Sequence, residues 1–300
     1  MTDATSDPIT LNQEADLPQA VVRGYWASVW NRLKYDYVTL FCLVLIVLIV
    51  LSAVFAPWLA PFDPEKSSMA NRLKPVGYKE YLLGTDEQGR DILSRILYGG
   101  RTSLAMGILP VAFGTLIGGL FGIIAGYYGG RVNMIIMRTM DVFFAFPSVL
   151  LAVAISGSLG GGLQNQLASL TIVFIPPLCR VAETAASQVR TMDFVDAARA
   201  SGASTFSILK DHVLITVISP VLVYASTLVS ASILLASGLS FLGLGVSPPT
   251  PDWGLMLSTL RQSIWVQPLV CAIPGIAILI TSIAFNIVSD GLRVAMDVKS

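Results

Sequence analysis

The chain has one histidine, three cysteines and only 13% charged residues in 300. Each scarcity excludes something. With His212 alone, no site built on several histidine ligands can form. Cys42, Cys179 and Cys271 all fall in apolar stretches, so they are expected to be small packing residues, not a disulfide framework or metal cluster. The pattern G-x-x-x-x-G-K-[ST] is missing, which removes a conventional ATP-binding loop, and so is H-E-x-x-H. A single histidine within a polar segment disfavours a Ser/His hydrolase. A formal net charge of zero implies no nucleic-acid partner. No cleavable signal peptide is expected, because the first apolar run starts late, is long enough to span and lacks an A-x-A site.

What is present is apolar: 54% of residues are hydrophobic, and the mean hydropathy is +0.71. Residues 38–56, 102–130, 142–179, 212–251 and 262–289 contain no Asp, Glu, Lys or Arg. A bilayer core takes about 20 apolar residues per helix. Three of these stretches fit one span each, 142–179 fits two with a turn at 157–166, and 212–251 fits one span plus a Pro-rich loop. The fold class expected is an all-α integral membrane protein of six transmembrane helices.

The expected organisation is a tail and interfacial helix (1–36), a first span (37–58), an extracytoplasmic loop (59–101), a core of five spans (102–294) and a short tail (295–300). Within the first of these, Val21, Val22, Tyr25, Trp26, Val29, Trp30 and Leu33 recur at helical spacing among basic residues, as in a helix lying at a membrane surface. Positive charge is only slightly in excess on the side of the two ends, so it supports an inside N-terminus weakly.

The charged island at 190–215 stands between long apolar stretches. Thr191 is placed to cap a first helix, and Asp193 and Asp196 fall where its dipole favours negative charge. Ala197 and Ala198 are helix formers of little bulk. Gly202 suits the left-handed residue that ends a helix, and Ser204 is placed to cap a second one. Two readings are open: a solvated loop between spans, or a docking element of the helix-in-groove kind.

Elsewhere, Gly114, Gly118, Gly122 and Gly126 form a small-xxx-small ridge that permits close helix packing, within the chain or across a subunit interface. Asp141 is expected to pair with Arg138 one turn earlier. Pro176-Pro177 is expected to kink or end the fourth span, and the fifth is expected to start near Ser219-Pro220. Ser226, Ser230 and Ser237 share one helical face, as do Ser282, Asn286 and Ser289. Such stripes either line a wet pathway or hydrogen-bond between helices. Trp253 is placed to anchor at the interface.

Several of these stretches carry a family resemblance. Asp196-Ala197-Ala198-x-x-x-Gly202, followed after nine residues by His212-x-Leu214, resembles the EAA loop of ABC importer permeases, with Asp196 in place of Glu and Ile215 where Pro is usual. Gly84-Thr85-Asp86-x-x-Gly89-Arg90-Asp91-x-x-Ser94-Arg95 is similar to a longer signature of the C-type subunit in the dipeptide, oligopeptide and nickel importers. Ser240-Phe241-Leu242-Gly243-Leu244-Gly245, Pro248-Pro249-Thr250-Pro251-x-Trp253-Gly254, Ala284-Phe285-Asn286 and Asp290-Gly291-Leu292-Arg293 match further pieces of it, so the resemblance covers the chain from Trp26 onward.

The resemblance implies a type I ABC importer permease fold with a cytoplasmic coupling helix, in a bacterial cytoplasmic membrane. The implied coupling residues are Asp193, Phe194, Asp196, Ala197, Ala198, Arg199, Gly202, Ala203, His212 and Leu214. The implied partners are a homologous permease forming a heterodimer, two cytoplasmic ATPases, an extracytoplasmic solute-binding protein and membrane lipid. No cofactor is expected on this chain; ATP and Mg belong to the ATPases. The transported solute is expected to be a di- or oligopeptide or a related small molecule. Two other classes remain: an intramembrane aspartyl enzyme using Asp141 and Asp290, and a passive channel, for which no ring of charged residues is visible.

Overall fold

The computed structural model describes residue 30 and residues 33–296. The N-terminal tail, most of the expected interfacial helix and the last residues of the C-terminal tail lie outside the described residues. Among the described residues there is no named strand, and the architecture is all-α.

Helix α1, Tyr37–Val54, starts where Asp36 accepts the backbone N–H groups of Val38 and Thr39, both at 3.2 Å. Those are orphan donors of a first turn. At its other end the carbonyls of Ala53 and Val54 accept Nε and Nη2 of Arg101, each at 2.7 Å. One guanidinium therefore caps α1 and ties it to the next span.

Helix α2, Ile92–Tyr128, is capped by Asp91, which accepts the N–H and hydroxyl of Ser94 at 2.7 Å. Helical structure thus begins at Ile92, inside the 59–101 segment, and runs on without a break into the second span. The cap at Asp91 sets the start, whereas the apolar run alone pointed to residue 102. At 37 residues the helix is roughly 55 Å long, well beyond the roughly 30 Å hydrocarbon core.

Helices α3, Gly130–Phe144, and α4, Ser148–Leu159, follow. They are separated at Ala145-Phe146-Pro147 by an 87° bend. Pro147 cannot donate and forces its predecessor out of helical geometry. The third span is therefore a broken pair, where the sequence suggested one helix after residue 142. Helices α1, α2, α5, α7 and α9 are each long and apolar enough to cross a membrane, and α3 with α4 passes the same test as one broken crossing.

Helix α5, Leu163–Val189, continues through Pro176 and Pro177, so the fourth span does not end there. Packing overrides the lost donors: Phe174, Leu178, Ala182 and Ala186 are all buried along the glycine face of α2. Helix α6, Asp193–Ala200, is short. Helix α7 spans Thr205–Phe241, with one π turn at Leu209–Val213. It starts well before Ser219-Pro220, the expected boundary, and Pro220 lies inside it. Helix α8, Trp253–Leu260, and helix α9, Pro268–Met296, complete the chain.

The main core lies between α2, α5 and α7 and continues into α6. A second cluster at the opposite end joins Ile92, Trp253, Met256, Leu260 and Val270. There Trp253 is 2% exposed and donates its indole N–H to the Ile96 carbonyl at 2.9 Å. It is a core residue fastening α8 to α2, not the interfacial anchor expected. A third cluster, with Cys42, Ile46, Ala284 and Val288, packs α1 on α9.

Candidate functional site

The island between α5 and α7 is a fixed unit. Val195 of α6 and Val213 of α7 are wholly buried, and Ile208 is 2% exposed; all three belong to the main core beside Ala186 and Val189. Three aliphatic anchors thus set a short helix and the start of a long one on the end of the bundle. Burying each such side chain is worth about 1.5–3 kcal/mol.

The turn between them is closed by backbone geometry. Gly202 has φ +81°, its N–H donates to the Arg199 carbonyl, and the Ala203 N–H donates to Ala198, both at 3.0 Å. That paired pattern is the Schellman ending, which needs a left-handed residue at this position. Ser204 then caps α7, accepting the Ser207 N–H at 3.2 Å. Thr191 does not cap α6: its hydroxyl donates to the Gln188 carbonyl at 2.9 Å, and Met192 stands at the cap without a side-chain bond. Thr191 lies in the turn just after α5, where the Gln188 carbonyl takes its hydroxyl.

The expected site residues divide by exposure. Asp193, Asp196, Ala197, Arg199, Gly202 and Leu214 are exposed, while Ala198, Ala203 and His212 are half-buried. Asp193 and Asp196 lie in the first turn of α6. Arg199 is fixed at 2.9 Å from Asp196 and stands over the Tyr127 ring at 5.7 Å. The Phe194 ring lies 6.1 Å from that of His212, linking α6 to α7. Phe206 is 75% exposed, and Met192 and Phe194 are each 43% exposed. Met192 and Phe206 were not among the expected residues. An isolated large apolar residue just after a helix cap was the available signal.

The glycine ridge is settled by its neighbours. Cβ atoms added at Gly114, Gly118, Gly122 and Gly126 would meet Phe174 Cβ at 3.1 Å, the Ile175 oxygen at 2.6 Å, Ala182 Cβ at 2.6 Å and the Glu183 oxygen at 2.5 Å. All are on α5, so the ridge packs within this chain. Asp141 pairs with Arg138 as expected and, more closely, with Arg180. Arg180 Nη2 is 2.7 Å from Asp141 Oδ1, whereas Arg138 lies at 3.7 Å. The first of the two carboxylates that the aspartyl-enzyme alternative needs thus faces a guanidinium.

The serine faces meet each other. Ser289 Oγ is 2.9 Å from Ser226 Oγ and 2.6 Å from Thr227 Oγ1, so α7 and α9 are hydrogen-bonded at that level. Ser230 donates to its own helix at the Thr227 carbonyl. Ser230, Ser237 and Ser282 are buried, and Asn286 is exposed.

At the opposite end, the Gly84–Arg95 motif holds a buried ionic network. Arg90 Nε is 2.6 Å from Asp86 Oδ2, Arg95 Nε is 3.4 Å from the same oxygen, and both arginine side chains are 2% exposed. Arg95 Nη1 also donates to the carbonyls of Pro64 and Pro249, at 2.9 and 3.2 Å. It therefore sews the long loop before α2 to the loop before α8.

Comparisons with known proteins agree with this architecture. A family model described as the inner membrane component of binding-protein-dependent transport systems matches residues 118–299. A second, the N-terminal TM domain of oligopeptide transport permease C, matches residues 24–75. The glutathione transport system permease protein GsiD of Pectobacterium atrosepticum is 39% identical over 278 residues, which is 93% of this chain and 92% of that protein. The di/tripeptide transport system permease protein DppC of Pseudomonas aeruginosa is 40% identical over 293 residues, 96% of this chain and 97% of that protein. An inward-facing structure of the MetNI methionine ABC transporter aligns with a TM-score of 0.54 and 18% identity, over 66% of this chain and 94% of that chain. That last likeness is one of fold. With a family model over more than half its length and relatives near 40% identity over nearly all of it, the chain belongs to the family of bacterial inner-membrane permease components of binding-protein-dependent ABC importers.

Proposed function

We propose that this permease works as one half of a translocation pathway and is driven by separate cytoplasmic ATPases docked on α6, its turn and the first residues of α7. One observation carries the assignment: a unit held by three buried aliphatic anchors presents Met192, Phe194 and Phe206 outward beside Asp193 and Asp196. A surface meant to transmit force needs both rigid seating and an apolar contact. In helix-in-groove docking the apolar residues supply most of the affinity. Placing this end in the cytoplasm follows from the same assignment.

The chain holds no ATP itself; ATP and Mg sit on the two ATPase subunits. Its lateral partner is a homologous permease in a heterodimer, and an extracytoplasmic solute-binding protein delivers the cargo. That cargo is a di- or oligopeptide, or a related small solute such as glutathione, in keeping with the relatives. ATPase closure biases inward- and outward-facing states through contacts that differ between them.

The test is purification of the tagged chain from its native membrane with identification of co-purifying proteins. A second permease and one or two P-loop ATPases are expected. Isolation of the chain alone in mild detergent, at every salt concentration, would return the enzyme and channel alternatives to consideration.

A further inference from the structure

Helix α9 carries Ser282, Asn286, Ser289 and Arg293 spaced by four, three and four residues, which sets them along one face. Ser289 is satisfied by Ser226 and Thr227 of α7. The others are not. Ser282 is 6% exposed and its hydroxyl has no hydrogen-bond partner. Asn286 and Arg293 are exposed, and neither has a side-chain partner among the described residues. Asp290, one turn before Arg293, forms no ion pair with it.

Beside Arg293 a cavity of about 500 Å³ opens between α5, α7 and α9, on the end of the bundle that carries α6. Its walls include Val223, Tyr224, Thr227, Arg293 and Met296, and no Asp or Glu is among its lining residues. The Tyr224 hydroxyl has no hydrogen-bond partner among the described residues. The volume falls in the range of about 300–1,000 Å³ typical of small-molecule sites. Ionisable and amide groups on a span are unfavourable against lipid and instead face water, a partner or a ligand.

We infer that this cavity is a release-side binding site for the carboxylate of the transported solute. Arg293 supplies the planar fork that fits a carboxylate through two parallel hydrogen bonds, and Tyr224 adds a hydroxyl donor. The row of Asn286 and Ser282 leads from the site toward the middle of α9. The inference deepens the permease function proposed above and rests on it. An anionic lipid headgroup offers related chemistry, and the experiment separates the two.

The assembled transporter is reconstituted with its ATPases and binding protein in phosphatidylcholine vesicles that enclose ATP. Initial uptake of labelled dialanine or glutathione is measured with dialanine, or its amide lacking the carboxylate, enclosed on the release side. Enclosed dialanine is expected to slow wild-type uptake several-fold and the amide to have no effect. Arg293→Gln is expected to abolish this inhibition and Arg293→Lys to retain part of it. A wild type inhibited equally by the amide, or an Arg293→Gln variant still inhibited by dialanine, overturns the inference. So does inhibition that appears only when phosphatidylglycerol is added, which assigns Arg293 to lipid phosphate. Loss of inhibition in Asp297→Asn assigns Arg293 to an intrachain pair and also overturns it. A wild-type complex without ATP-driven uptake of either solute removes the permease function itself, and this site with it.

Discussion

Asp141 Oδ1 lies 2.7 Å from Arg180 Nη2, joining the last turn of α3 to α5 across the broken third span. The same guanidinium stands over the Phe144 ring at 4.4 Å, so one arginine holds both the charge and the aromatic at the point where α3 ends. With side chains 42% and 49% exposed, the pair is expected to contribute only about 0–1 kcal/mol. A double-mutant cycle of Asp141→Asn and Arg180→Gln, followed by thermal unfolding in detergent, should return a coupling energy in that range. A value of several kcal/mol would show that the pair is far less solvated than its exposure indicates.

The glycine ridge predicts a sharp contrast between neighbours. Gly118→Val places a side chain against the Ile175 backbone oxygen, which cannot move without shifting α5. Overpacking of this kind costs about 1–3 kcal/mol where side chains can yield, and more is expected here. Gly119→Ala meets nothing within 4 Å and should be neutral. Monodisperse yield on size-exclusion chromatography reads both, and equal yields would overturn the packing account.

Gly202→Val should abolish transport while membrane insertion stays intact. An added Cβ at Gly202 has nothing within 4 Å, so the effect comes from its φ of +81° alone. A left-handed β-branched residue is strongly disfavoured, whereas asparagine tolerates that region. Gly202→Asn should therefore keep partial uptake. Normal uptake by the valine variant would remove the coupling role from this turn.

Phe206 is 75% exposed, so Phe206→Ala should leave the melting midpoint of the purified chain unchanged. ATPase retention should nevertheless fall roughly tenfold, the cost of one interface hot spot of about 1.4 kcal/mol. Co-purification titrated against salt measures it. A variant that retains the ATPases fully places the docking contact elsewhere.

Asp252 gives a pH prediction. It is 3% exposed, caps α8 by accepting the Leu255 N–H at 3.1 Å, and accepts the Ser103 hydroxyl at 2.7 Å. Burial pushes its carboxyl above the ordinary range, against the opposing pull of those hydrogen bonds. A raised folded-state pKa means that the folded protein holds this proton more tightly than the unfolded chain. The stability contributed is therefore present below the ordinary carboxylate range and lost as pH rises through the raised value. Asp252→Asn, neutral throughout, should flatten the pH dependence of the melting midpoint over that window. An unchanged slope would show that the carboxyl titrates without linkage to folding.

Much of the fold was legible because apolar runs and charge gaps depend on local composition, which marks long spans well. Gly202 and Ser204 were legible for the same reason: a left-handed ending and a hydroxyl cap are local demands. Apart from Thr191, whose hydroxyl is taken by nearby Gln188, the misreadings mostly involve distant partners. The apolar run beginning at residue 102 does not by itself show that the second span extends back to the cap at Asp91. The continuity of α5 through Pro176-Pro177 depends on α2, and the burial of Trp253 depends on Ile96. Asp141 keeps its local partner Arg138 and gains Arg180, 39 residues away, a second contact that needs the tertiary fold. In the unit formed by α6 and the start of α7, composition indicated the acidic and small residues. The outward placement of Phe206 follows only once Ile208 and Val213 are known to point into the core.

Helix α7 is unbroken over 37 residues from Thr205 to Phe241, so it behaves as a stiff rod of roughly 55 Å. Pivoted near either end, a rod of that length turns a tilt of about 5° into a sweep of roughly 5 Å at the other. The residues swept are those around Ser240, against which Gly245 and Gly254 pack closely. Leverage is thus a property of this single helix, and a change of angle at Phe206 would be felt across the whole thickness of the membrane without any relay of side-chain contacts.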